Sequence, residues 1–93
     1  MTYLDDLAVR IRDQVPDAQR GETELGLFRL YAVLALAKGA AVEPSDVHNA
    51  WAAWMRERDP DHNALMPFDQ LDREKQDADS PFVAAIRAVA VQE

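Results

Sequence analysis

"TELGLFRLYAVLALAKG", Thr23 to Gly39, is the most apolar stretch of the chain. Leu27, Leu30, Tyr31, Leu34 and Ala37 recur at helical spacing, and Phe28, Val33, Ala35 and Leu36 carry the apolar surface almost round the axis. A helix greasy on most sides is a central one, which its neighbours must cover. Arg29 interrupts the run; either its stem packs while its head reaches water, or it pairs with a nearby acid. Lys38 followed by Gly39 marks a helix end with a left-handed glycine. The unbroken apolar part, Leu30 to Ala37, is far shorter than the ~20 residues a bilayer-spanning helix needs, so no membrane insertion is expected.

Towards the N-terminus, Leu4, Leu7, Ala8, Ile11 and Val15 fall on one helical face, with Asp5, Asp6, Arg10, Arg12 and Asp13 opposite. Thr2 and Asp5 form a short capping box before this helix and Pro16 ends it. Asp17 to Gly21 is a polar connector. Towards the C-terminus, Glu43-Pro44-Ser45-Asp46 starts a third helix, with proline at its first position and acids in its first turn. Val47, Ala50, Trp51, Trp54 and Met55 then share a face, which predicts the tryptophans as core anchors. Asp59-Pro60-Asp61 stops it. Leu65 to Phe68 reads as an extended apolar plug. Asp69 to Asp79 reads as one or two helical turns, polar and mobile near its end. Ser80 as N-cap and Pro81 at the first position restart the chain in a last helix, with Phe82, Ala85, Ile86, Val89 and Ala90 inward. No stretch alternates with period two. The expected fold is all-α: a small single-domain bundle, 1–93, of about four helices plus short helical turns.

Composition narrows the function. With 48% hydrophobic and 29% charged residues the chain is globular rather than disordered. The absence of cysteine removes disulfides, thiolate metal sites and cysteine nucleophiles, and fits a cytoplasmic location. The net charge is −7. Glu57 to Asp79 holds eight acids against three bases and supplies −5 of it. Binding to nucleic acid needs the opposite sign, so no nucleic-acid partner is expected. The acids read as a solvated face, or as a docking surface for a basic partner.

Catalytic chemistry finds little support. Ser45 and Ser80 sit at predicted caps, no G-x-S-x-G elbow occurs, and three glycines build no phosphate loop. His48 and His62 flank the tryptophan helix in no metal-binding spacing; His48 reads as a hydrogen-bonding residue near a helix start and His62 as a loop-ordering one. The acids of Asp69 to Asp79 lie in a polar stretch without apolar walls, so none is marked for acid–base work. No enzyme activity, metal or cofactor is expected.

Val47, His48 and Trp51, then His62, Leu65, Pro67, Phe68 and Leu71, then Glu74, Lys75 and Asp77, resemble the pattern of the ryanodine-receptor repeat (RyR-type) domain over Val47 to Asp77. That family has a longer segment between its tryptophan and second histidine than the "AAWMRERDPD" found here. The resemblance implies a helical, non-enzymatic module that binds a small, nucleotide-like ligand, here at His48, Trp51 and His62. The whole chain also resembles short proteins of actinobacteria and their phages. That likeness implies an accessory protein of the bacterial cytoplasm, monomer or homodimer, which binds a host protein and alters host growth or competing infection. The residues expected to meet that partner are Trp54, Arg56, Glu57 and Arg58, with Asp69, Asp72 and Glu74.

Overall fold

The computed structural model describes residues 3–16 and 25–92. Among them lie four helices of twelve to fifteen residues: α1 (Tyr3–Gln14), α2 (Leu25–Lys38), α3 (Pro44–Arg58) and α5 (Ser80–Gln92). A five-residue α4 (Arg73–Asp77) and two 3-10 turns, Gly39–Ala41 and Phe68–Gln70, connect them. No strand occurs among the described residues, and the all-α expectation holds. The Thr2 cap and the connector Asp17 to Gly21 lie outside the described residues.

The core follows from three apolar stripes. α1 buries Leu7, Ala8 and Ile11, with Val15 just beyond its end; these are the positions its periodicity marks. α2 sits against α1, α3 and α5. It buries Leu27, Phe28, Tyr31, Ala32 and Ala35. Phe28 and Tyr31 meet edge to face at 5.7 Å, and both touch Phe82 of α5, at 6.2 and 5.6 Å. α5 closes the core with Val83, Ala85, Ile86 and Val89.

The inner face of α2 differs from the expected one. Ala37 is exposed, while Val33 is 48% and Leu36 55% exposed. A helix apolar all round offers no gradient to orient it; the partners decide, and α1 and α5 select the Phe28–Ala32–Ala35 side. Arg29, on the outer side, pairs with Asp5 of α1.

Gly39 takes φ +58, the left-handed turn expected after Lys38. Lys38 then reaches across the turn to Asp46 at 2.9 Å, and Asp46 also accepts the Glu43 N–H at 2.9 Å. One carboxylate thus ties the end of α2 to the start of α3. Arg87 of α5 donates twice to the Val42 carbonyl, at 2.9 and 2.6 Å, which fixes the same turn to the last helix. α3 starts at Pro44 and ends at Arg58, as its start and stop signals predict.

The start of α5 needs a correction. Phe82 and Val83 N–H both donate to the main-chain carbonyl of Asp79, at 3.1 and 3.0 Å. Asp79, not Ser80, is therefore the residue at the N-cap position, and Pro81 falls at the second helical position. No helix among the described residues is long and apolar enough to cross a membrane.

A cleft between the tryptophan helix and the acidic segment

α3 places His48, Trp51 and Met55 at i, i+3 and i+7, with Trp54 beside them. This face does not close completely on the core. Val47 is fully buried, but Trp51 and Trp54 are half-buried against it. Between them and α2, the chain leaves a cleft of about 560 Å³, within the roughly 300–1,000 Å³ of small-molecule sites. Leu27 and Tyr31 of α2 form its floor, Phe82 one end, and Leu71, Lys75 and Asp79 the far side.

That far side is made by the segment after α3, which polar side chains hold in place. His48 is 3% exposed, and its Nε2–H donates to the Met66 carbonyl at 2.7 Å. A carbonyl only accepts, so the Nε2 proton is committed there. The ring stacks on Trp51 at 5.5 Å and lies 6.1 Å from Phe68. His62 meets Trp51 edge-on at 5.1 Å, while its Nδ1 accepts the Ala64 N–H at 3.1 Å. Gln76 donates to the carbonyls of Phe68 and Leu71 at 3.0 and 3.2 Å. Asp72 caps α4 by accepting the Lys75 N–H at 2.9 Å. In the stretch expected to be polar and loose, Gln76 and Asp79 are half-buried while Asp77 and Ala78 are exposed.

The structure brings His48, Trp51 and His62 together as one stacked group. It splits the residues expected to meet a partner protein. Trp54 faces the cleft, with the Arg58 guanidinium 4.0 Å over its ring and Arg58 donating to the Trp54 carbonyl at 2.9 Å. Arg56 is two residues on, about 200° round the helix, and lines a separate groove with Asn49, Pro60 and Met66. Glu57, Asp69 and Glu74 are exposed, and Asp72 is occupied as a cap.

Two residues of the cleft escape a reading of the sequence. Tyr31 is 1% exposed, and burial, then the charge of Asp79, pushes its phenol well above the ordinary value. Burial pushes the Asp79 carboxyl up to about 6, against a smaller opposing pull from His48. The expectation that the acids of this segment lack apolar walls fails at Asp79, which shares the cleft with Tyr31, Trp54 and Phe82. Among the described residues two buried polar atoms find no hydrogen-bond partner: Asp79 Oδ2, on a residue of the cleft, and Trp54 Nε1, which lies against Gly26 of α2. Among the described residues no group of three or more His, Asp or Glu assembles as a metal site.

Fold and cleft together define a small all-α domain with an aromatic, polar-rimmed cavity. The chain belongs to the family described as a domain of unknown function, DUF7701, whose model matches residues 2–91. No curated protein and no solved structure matches it. The RyR-type relationship expected over Val47 to Asp77 is overturned: the match spans nearly the whole chain, and it is to this family and to no RyR-type domain. The positions that carried the likeness are the ones that seat the loop on α3, namely His48, Trp51, His62, Phe68 and Leu71. A helix followed by a returning loop calls for such residues in any family.

Proposed function

We propose that this protein is a non-enzymatic module that binds a small organic ligand in the cleft between α2, α3 and the acidic segment. The observation that carries the proposal is a carboxylate, Asp79, half-buried in a cavity walled by Tyr31, Trp51, Trp54 and Phe82, its Oδ2 unpartnered among the described residues. Native interiors leave few such groups, and each costs about 1–3 kcal/mol when orphaned. A ligand that donates to Asp79 would supply the missing partner. Binding without turnover fits the lining: no Ser or Thr is among its residues, and the Nε2 proton of His48 is already bonded to Met66.

Thermal melting against a panel of aromatic amines, acids and neutral heterocycles tests this. A ligand at a hundred times its Kd adds about 2.7 kcal/mol, a rise of roughly ten degrees or more in a domain this size. The rise is expected to disappear in Ala78→Trp, which fills the mouth of the cleft from an exposed position. A panel without any shift, or shifts that survive Ala78→Trp, would contradict the proposal.

A surface that binds another protein is favoured by one different observation, the exposure of Val33 and Leu36 on the outer side of α2. Charged substitution of both, with the oligomeric state read by sedimentation and partner capture read alongside, tests that surface. Capture unchanged by Val33→Lys with Leu36→Glu would remove it.

A further inference from the structure

If the cleft is a binding site, the chemistry of its orphaned carboxylate specifies the class of ligand. Asp79 occupies an N-cap position, where an aspartate ordinarily accepts from the backbone N–H groups of the first turn. Here the local sequence withholds both. Pro81, at the second helical position, has no N–H. The Phe82 N–H, at the third, is taken by the main-chain carbonyl of Asp79 itself at 3.1 Å. The carboxylate is thereby left to the cavity, with Oδ2 buried and unpartnered.

No ion pair among the described residues neutralises it, and burial outweighs the opposing pull of His48. Lys75 of α4 lines the same cleft but is exposed and forms no ion pair among the described residues. His48 of α3 donates to Met66 instead. Tyr31 of α2 presents a phenol, and Phe82 of α5 a ring. A carboxylate taken out of water without a partner is unfavourable, and an incoming cation relieves that directly. The walls suit the same guest. Tyr31, Trp51, Trp54 and Phe82 give the cleft aromatic surfaces, which attract organic cations through the ring quadrupole and stack on flat ligands.

We infer that the cleft takes a small arylalkylamine in its protonated form, the ammonium on Asp79 and the flat ring among Tyr31, Trp51, Trp54 and Phe82. This rests on the cleft being the site proposed for a small organic ligand.

Isothermal titration at pH 7.5 with three probes sharing one ring system tests the charge preference: 5-hydroxytryptamine, neutral 5-hydroxyindole and 5-hydroxyindole-3-acetate. The cation is expected to bind at least tenfold tighter than the other two. In Asp79→Asn this preference should shrink to within about twofold. Affinity of the intact protein should fall about tenfold from pH 7.5 to pH 5, as the carboxyl titrates near 6. Equal or tighter binding of the neutral or anionic probe to the intact protein would overturn the inference and leave the binding site standing. Binding of none of the three would also overturn it, and the melting panel would then decide the fate of the site separately.

Discussion

Two halves of this molecule meet at α2 and are closed by different means. Where α2 faces α1 and α5, the contact is apolar: Ile11, Phe28, Ala32, Ile86 and Val89 are all fully buried. Where it faces α3 and the acidic segment, closure depends on polar pins, chiefly His48 to Met66 and Gln76 to Phe68 and Leu71, and a cleft remains. The first half is complete in itself. The second holds a buried acceptor, Asp79 Oδ2, that no donor among the described residues satisfies. A small domain can fold on one well-packed side and leave the other to a guest, because the interior apolar contacts supply most of its stability.

The contrast breaks most readily in the core. Phe28→Ala should destabilise by about 3–5 kcal/mol, which is most of the stability of an ordinary domain of this length. Denaturant unfolding would register it as a large drop in midpoint, or as failure to fold. His48→Ala should be milder, about 2–3 kcal/mol, through lost ring contacts and an unpaired Met66 carbonyl. Its effect should also be local. Hydrogen exchange is expected to rise over residues 62–71 while α1 and α2 keep their protection.

Asp79→Asn should act in the opposite direction. The carboxyl titrates near 6 in the folded chain, against about 3.9 in an unfolded one. An acid with a raised folded value weakens the fold once pH exceeds the unfolded value, and the loss is complete above the folded one. The substitution should therefore stabilise by roughly 1–2 kcal/mol at pH 7.5, allowing for solvent screening of the partly open site. It should make no difference below about pH 4. Melting curves of both proteins across pH 3.5–8 would show the two lines separating between pH 4 and 6. Smallest of all, Arg29→Ala removes an exposed pair with Asp5 and should cost under about 1 kcal/mol, less in high salt.

Much of the first half was legible in the sequence. The stripe Leu7, Ala8, Ile11, Val15 and the start of α3 at Pro44 follow from spacing and cap chemistry that act over a few residues. The orientation of α2 did not follow, because Val33 and Leu36 are as apolar as the Phe28 and Ala32 that were buried; only the partners distinguish them. The cleft was half-legible. His48, Trp51 and His62 could be named from their residue types, but Trp51 and Trp54 pack against the core on one side and line a cavity on the other. Asp79 was hidden among eight acids of one segment. Its surroundings come from positions 31, 48, 54 and 82, most of them far along the chain. One local signal existed: in Asp79-Ser80-Pro81 the proline removes an amide that would otherwise hold the aspartate.

The most direct test of the cleft as a site with an unsatisfied carboxylate needs no ligand. A ¹³C NMR titration of the Asp79 carboxyl carbon in the intact protein reads its environment. A midpoint near 6 is the expected result. An ordinary midpoint near 4 would mean that water or a chain donor already serves the group, and would contradict the account of the cleft.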